Sequence, residues 1–229
     1  MKGRVRALRW AAVAAAAAAL VGTATGCRPM DTGAAAPSGG TRTPGSASAA
    51  SAAGAAGQPA GPGGACVFVK PDGAQKFGHT GWGFRVTGTD RWEYGAVENP
   101  SNALYTPPGG DIGAWHAQGS YARMLSDMSR DAHYPGTSSH PYSRYRCTAS
   151  PAGDVAAARA MIRTVESRGF LVGIDPATGE LSSRDCLDAT YDVLKAYRAR
   201  HLTPAYRTEI PNVWVETLVL WTDEKLTPR

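Results

Sequence analysis

Residues 65–229 of this 229-residue chain lack a net charge. Six Lys and Arg residues and one Asp fall within residues 1–64, so the remainder carries 18 Lys and Arg against 18 Asp and Glu. The formal charge of +5 therefore belongs to the N-terminal part. Because a nucleic-acid-binding protein needs a basic patch on its folded domain, we expect no nucleic-acid partner.

Large apolar side chains are nearly absent from residues 28–64. This stretch holds no aromatic residue and only one aliphatic side chain larger than Ala, Met30. Such a composition cannot bury enough apolar surface to offset the entropy lost on ordering. We predict that residues 27–64 form a disordered tether with a root-mean-square span of about 30–35 Å. Residues 65–229 are long enough to build one domain with its own core.

The apolar run in the leader, residues 1–26, is shorter than a membrane-spanning helix usually requires. A basic start, MKGRVRALRW, precedes AAVAAAAAALV, and this order is typical of a secretory signal peptide. The following ATGC resembles a bacterial lipobox, although Ala24 stands where Leu is usual. Lipidation of Cys27 would anchor the protein to the cell membrane on its extracytoplasmic side. The alternative is cleavage nearby and free secretion.

Cysteine is scarce, with four in the chain. If Cys27 carries lipid, three remain outside the cell, and an odd number implies one unpaired thiol. Three pairings are possible. Cys66 and Cys147 lie in strand-like runs and Cys186 lies in a helix-like one, so we favour a Cys66–Cys147 disulfide. A disulfide that includes Cys186 would instead leave no free nucleophile.

The patterns of residues 65–229 predict an α+β domain. Strand-like runs are CVFVKP, GHTGWGFRV and RWEYGAVEN around a TGTD turn, YSRYRC and FLVGI. A helix capped by Asp154 precedes FLVGI, and a second begins in SSRDCLDATYDVLKAY, where Ser182 and Asp185 have capping-box spacing. Residues 100–140 read as a long loop with one short helix in SYARMLSDMSR. PNVWVETLVLW fits a strand or a helix.

Cys186 lies in the first turn of the predicted helix. Helix N-terminal N–H groups and the macrodipole stabilise a thiolate at such a position. The same N–H groups can bind a developing oxyanion. A thiol nucleophile also needs a base, usually His, which a third polar group holds in place.

Five histidines could supply that base. His79 is the strongest candidate because it begins a predicted strand after a glycine. His201 follows the Cys186 helix, where a charged His is favourable for structural reasons. His116, His133 and His140 lie in the Gly- and Pro-rich region without metal-ligand spacing. We therefore predict no metal site and no cofactor.

Three motifs carry a resemblance to a known family. GHTGWGF, the YGAVEN run and DCLDATYDVLKAY, with His before Cys, resemble the permuted papain-like hydrolases. These are relatives of NlpC-type cell-wall peptidases and of lecithin–retinol acyltransferase-like enzymes, and the likeness is greatest to actinobacterial secreted members. The resemblance implies a permuted papain-like fold, a small antiparallel sheet packed against helices. It makes Cys186 the nucleophile and His79 the general base.

The family's third polar residue lies on the strand after the His strand. That run offers Glu93, Glu98 and Asn99. We choose Glu98, which shares a strand face with Tyr94 and Ala96, and keep Glu93 as the fallback.

The resulting expectation is a membrane-anchored cysteine hydrolase that acts on a cell-wall peptide or another acyl substrate. The alternative is a non-catalytic envelope lipoprotein that serves as a binding or structural module. Trp82, Trp92 and Trp115 are candidates either for a substrate groove or for the core. The sequence does not specify the oligomeric state.

Overall fold

The computed structural model describes residues 57–130, 141–151 and 153–227. The expected signal peptide, Cys27 and most of the expected tether lie outside the described residues. Within the described part of the chain, no helix has the length and apolar character needed to cross a membrane.

The described chain forms nine strands and four α-helices. The strands are β1 (Gly63–Lys70), β2 (His79–Arg85), β3 (Arg91–Val97), β4 (Tyr105–Thr106), β5 (Ala114–Ser120), β6 (Arg144–Ser150), β7 (Phe170–Ile174), β8 (Leu181–Arg184) and β9 (Thr222–Lys225). The helices are α1 (Tyr121–Arg130), α2 (Val155–Ser167), α3 (Cys186–Ala196) and α4 (Pro211–Glu216).

Antiparallel pairing joins the strands into two sheets. The larger has six strands in the order β5-β3-β2-β1-β6-β9, and the smaller has three in the order β4-β7-β8. The predicted β2–β3 hairpin is present, with Trp82 opposite Gly95. The α+β class with antiparallel sheets is therefore confirmed.

Alternating side chains of the central strand β1 build a core on each face of the large sheet. Ala65, Val67 and Val69 belong to one apolar cluster, which includes residues of α2 and α3. Cys66 and Phe68 belong to a second cluster, which includes residues of α1. Because β1 is buried along its whole length, the sheet is covered on both sides there.

A disulfide links two neighbouring strands of the large sheet. Cys66 of β1 lies directly opposite Cys147 of β6, and their sulfur atoms are 2.01 Å apart. Cys186 remains a buried free thiol. The pairing thus leaves the helix cysteine available for chemistry.

Several elements differ from the sequence prediction. The region expected to be a long loop contains β4 and β5, and β5 pairs with β3 along its full length. Its sequence, AWHAQGS, has one large apolar residue, so it gives a weak strand signal. The first strand begins at Gly63, two residues before the expected start of the domain. In the ambiguous PNVWVETLVLW, only Pro211–Glu216 form a short helix, α4, with Pro211 in its first turn.

Replacing Cys66 and Cys147 together by Ala is expected to lower the free energy of unfolding by about 4 kcal/mol. The bond closes a loop with a sequence separation of 81, which restricts the unfolded chain. Guanidinium unfolding with and without reductant measures the effect. Reductant should destabilise the wild type and Cys186→Ala but leave the double variant unchanged. A reductant-insensitive wild type would contradict the expected contribution of the bond.

Candidate active site

His79 is the first residue of β2, at the end of the large sheet. Its β1 partner in the strand register is Lys70. Gly78, just before it, has a φ of +94°, and a Cβ there would collide with Asn212 of α4. The backbone N–H of Asn212 donates to the carbonyl of Phe77 at 3.0 Å, which ties this turn to α4. The backbone on both sides of the turn therefore determines where the imidazole lies.

Cys186 is the first residue of α3, and its N-cap is Asp185. The Asp185 carboxylate accepts hydrogen bonds from the N–H groups of Leu187 at 2.8 Å and Asp188 at 3.0 Å. The Asp188 carboxylate in turn accepts the N–H of Asp185 at 3.3 Å, which completes a capping box. The predicted capping box that began at Ser182 is wrong, because Ser182 lies in β8. Cys186 is thus closer to the helix start than a Ser182 cap implied.

The thiol of Cys186 and the imidazole of His79 interact directly. An electrostatic interaction and a side-chain hydrogen bond with Cys186 both raise the pKa of the imidazole. Thr80, next to His79, donates its hydroxyl to the backbone carbonyl of Cys186 at 3.3 Å. This second contact joins β2 to the start of α3 and keeps the two functional side chains together.

Glu98 lies one residue beyond β3 and faces the same imidazole. Its Oε2 is 3.1 Å from Nε2 of His79, within ion-pair distance although the alignment falls short of a hydrogen bond. Since Nε2 faces Glu98, Nδ1 is the ring nitrogen left for the thiol. The structure therefore brings the three predicted residues Cys186, His79 and Glu98 into one cluster.

Three further side chains hold the Glu98 carboxylate. Lys70 donates to Oε2 at 2.8 Å, while Tyr142 and Trp115 donate to Oε1 at 3.0 and 3.2 Å. The Lys70 ammonium also lies 4.5 Å from the centre of the Tyr142 ring. With both oxygens bound, the carboxylate has a fixed orientation toward His79.

Gly81 gives Tyr142 room to reach this carboxylate. A Cβ at Gly81 would lie 3.0 Å from the Tyr142 hydroxyl and 3.0 Å from the Met128 methyl group. Both distances are tighter than ordinary contact. Gly81 therefore lets Tyr142 and Met128 pack closely on the Glu98 side of β2 without a shift of either side chain.

The charges of the cluster favour a protonated His79. Burial by itself lowers the pKa of His79, but electrostatic interactions and hydrogen bonds with Cys186 and Glu98 outweigh burial and raise the pKa to about 10. For Glu98, burial raises the pKa, but His79 and Lys70 outweigh burial and hold the pKa well below its usual range. The stable state at neutral pH is therefore an imidazolium at His79 beside an ionised Glu98.

The N-cap residue of α3, Asp185, has a pKa well above the usual value of an aspartate. Burial, followed by the negative charge of Asp188, raises the pKa of Asp185 to about 7. Hydrogen bonds from the backbone of Asp188 and Leu187 oppose the increase, as does the charge of His79. The charge at the start of the Cys186 helix therefore changes near neutral pH.

The other carboxylate and histidine candidates lie elsewhere. Glu93 is buried but binds Arg159, whose Nε is 2.9 Å from Oε1, so the fallback residue is not part of the cluster. His116 is exposed, with Nδ1 2.6 Å from Oε1 of Glu166. His201 is exposed beyond the end of α3.

The remaining candidates are two histidines and two tryptophans. His133 and His140 lie outside the described residues. Trp82 and Trp92 are core residues, with at most 2% of their surface exposed. Among the described residues, no group of three or more His, Cys, Asp or Glu side chains is arranged to hold a metal ion.

The sequence analysis did not identify Lys70 and Tyr142 as site residues. It named Trp115 but did not predict its hydrogen bond to Glu98. For Lys70 the sequence does contain a signal. This residue directly follows the apolar run CVFV and lies on the same strand face as Cys66. A charged side chain at the end of a fully buried strand needs a buried partner. Tyr142 carried no comparable signal.

Comparison with known proteins adds no family assignment. No protein-family model matches the chain, and neither a curated protein nor a solved structure matches it significantly.

Replacing Glu98 by Gln is expected to lower the pKa of His79 from about 10 toward its ordinary value of 6.5. The substitution removes the negative charge beside the imidazolium, which disfavours protonation of His79. The Lys70 cation stays nearby and disfavours it further. Imidazole ¹⁵N chemical shifts of ¹⁵N-histidine-labelled protein, followed against pH, measure the change.

Glu93→Gln is the matched control, since Glu93 is also a buried carboxylate but pairs with Arg159. It should leave the His79 titration unchanged. A shift caused by Glu93→Gln and not by Glu98→Gln would assign the third residue to Glu93 instead.

Proposed function

We propose that this chain is a cysteine hydrolase of the permuted papain-like type that transfers an acyl group to water. The supporting observation is the Cys186–His79 pair at the start of a capped helix, with Glu98 on the other ring nitrogen. The chain order also supports it, because the His strand β2 and the Glu98 strand β3 precede the Cys helix. Thiolate, imidazolium and carboxylate together form the nucleophile, proton carrier and orienting group that acyl transfer needs.

The first half of the reaction forms an acyl-enzyme. The Cys186 sulfur attacks the carbonyl carbon of an amide or ester, and the carbonyl electrons move to oxygen. His79 then gives its proton to the departing amine or alcohol as the C–N or C–O bond breaks, which leaves a thioester on Cys186. Glu98 keeps the imidazolium oriented and stabilises its charge throughout.

The second half returns the enzyme to its starting state. The neutral imidazole of His79 takes a proton from water, and the resulting hydroxide attacks the thioester carbonyl. The carboxylic acid product leaves as the C–S bond breaks, which restores the thiolate and imidazolium.

The backbone at the start of α3 offers one donor for the developing oxyanion. The N–H groups of Leu187 and Asp188 are taken by the Asp185 carboxylate, and the N–H of Ala189 donates to the Asp185 carbonyl. The N–H of Cys186 itself is the first-turn donor nearest the sulfur. We assign it to the oxyanion, assisted by the positive end of the helix.

The proposed location is the outer side of the cell membrane. A lipid on Cys27 would anchor the chain, and residues 27–64 would tether the hydrolase domain at a distance from the bilayer. This location makes a cell-wall peptide or another envelope acyl compound the expected substrate.

The 7% exposure of Cys186 favours a second candidate function. In that case the protein is a non-catalytic envelope module, and Cys186 is a small apolar residue of the core. The two candidates differ in the reactivity of the thiol.

Cys186→Ala is expected to abolish hydrolysis of 7-acetoxy-4-methylcoumarin and of peptidoglycan fragments, and His79→Ala should reduce kcat/KM by about 10²–10⁴-fold. Activity should also fall as pH rises through about 10, because the His79 imidazolium then loses the proton that the leaving group needs. Fluorescence and mass spectrometry of the products measure these changes. His116→Ala, which alters an exposed histidine, should retain activity.

Alkylation of Cys186 by iodoacetamide at pH 6.5 separates the two candidate functions without a substrate. The hydrolase predicts fast labelling in the wild type and slow labelling in His79→Ala, because the imidazolium stabilises the thiolate. Equally slow labelling of both proteins would favour the non-catalytic module.

A further inference from the structure

The strand β8 is an edge strand that leads directly into the helix of the nucleophile. In the small sheet it pairs with β7 and has no neighbour on its other side within the described chain. A single residue, Asp185, separates its last residue from Cys186. A chain that pairs with the open edge of β8 therefore lies next to the start of α3, where Cys186 is located.

The backbone direction of β7 shows which of its residues face β8. The N–H of Val172 donates to the carbonyl of Leu104 at 2.7 Å, on the β4 side of the small sheet. Backbone N–H and C=O groups of successive residues point to opposite sides of a strand. Leu171 and Gly173 therefore point toward β8.

The same alternation identifies the open groups of β8. Leu171 lies opposite Arg184 and Gly173 lies opposite Ser182, so Arg184 and Ser182 exchange hydrogen bonds with β7. Ser183 and Leu181 consequently point away from the sheet. In the described part of the chain, their backbone N–H and C=O groups have no hydrogen-bond partner.

We propose that this edge binds an extended peptide segment of the substrate by β-strand addition, which makes peptides the substrate class of the proposed hydrolase. The inference rests on the proposed function of Cys186 and His79. A row of open N–H and C=O groups is a template for another extended chain. Lipid acyl chains lack the amide groups that would complete these hydrogen bonds.

The spacing between the edge and the nucleophile fits a peptide that reacts at Cys186. A strand advances about 3.3 Å per residue, so Ser183 and Cys186 are separated by the length of two to three extended residues. In a peptide that runs parallel to β8, the residue that pairs with Ser183 therefore precedes the reacting carbonyl by two or three residues. The bonds would position the acyl side of the substrate before sulfur attack.

Exposed apolar side chains at the far end of β8 favour an apolar residue in the bound peptide. Leu181 lies opposite Ile174 across the hairpin, and they are 39% and 66% exposed. A peptide side chain packed against this pair would remove apolar surface from water.

The substitution Ser183→Pro tests the edge, because Pro removes the open N–H while breaking no hydrogen bond to β7. Ser183→Ala is the matched control, since both variants lose the hydroxyl that donates to Asp188 at 2.5 Å, but Ala keeps the N–H. The substrates are acetyl-Ala-Val-Ala-Val-Ala-7-amido-4-methylcoumarin and the small ester 7-acetoxy-4-methylcoumarin.

We expect the ratio of kcat/KM for the peptide to kcat/KM for the ester to be about 5- to 10-fold lower in Ser183→Pro than in Ser183→Ala, which corresponds to the loss of about one hydrogen bond. An equal ratio in the two variants would overturn the proposal. Turnover of long-chain acyl esters with no turnover of the peptide would also overturn it.

A binding measurement keeps this proposal separate from the proposed hydrolysis. In the Cys186→Ala protein, acetyl-Ala-Val-Ala-Val-Ala-amide should slow hydrogen exchange at the amides of Leu181 and Ser183 at least several-fold. Protection confined to other amides would refute peptide pairing at β8. If the wild type cleaved neither coumarin substrate, the hydrolase proposal would fail, while the exchange result would still decide the edge proposal.

Discussion

The site depends on one buried anion, the Glu98 carboxylate. Its side chain is 3% exposed, and an uncompensated charge at such a depth would be very unfavourable. The compensating groups are Lys70 at the end of β1, His79 at the start of β2, Trp115 on β5 and Tyr142 before β6. One carboxylate therefore links separate parts of the large sheet, and the orientation of the imidazole follows from that linkage.

Local sequence signals predicted β1, β2, β3, β6, β7 and the three longer helices, but they missed β4, β5, β8 and β9 and misplaced the start of α3. The stretch SSRDCLD contains two pairs with capping-box spacing, Ser182 with Asp185 and Asp185 with Asp188. Spacing alone cannot choose between them. Pairing of Ser182 and Ser183 with β7 keeps both residues in an extended strand, so the helix begins after Asp185. A long-range contact therefore decided a boundary that local chemistry left open.

The neighbours of Glu98 were beyond the reach of sequence patterns. The choice of Glu98 over Glu93 came from the alternation of one strand, which is a local property. Lys70, Trp115 and Tyr142 reach Glu98 across 28, 17 and 44 positions of the chain. Trp115 also belongs to β5, whose polar composition hides its strand character. The nearness of His79 to Cys186 followed only from the family resemblance, since their elements are linked by tertiary packing.

The length of β1 has a consequence for the redox chemistry of the molecule. Cys66 and Lys70 point to the same face of the large sheet, and His79 lies opposite Lys70, so the sheet itself does not separate the disulfide from the imidazole. Cys66 is, however, four residues, or about 13 Å, along β1 from the Lys70–His79 end. Thiol–disulfide exchange requires a thiolate to approach a disulfide sulfur directly. The length of β1 therefore keeps the Cys186 thiol, which lies beside His79, away from the disulfide, so a nucleophilic thiol and a permanent crosslink can coexist in one small domain.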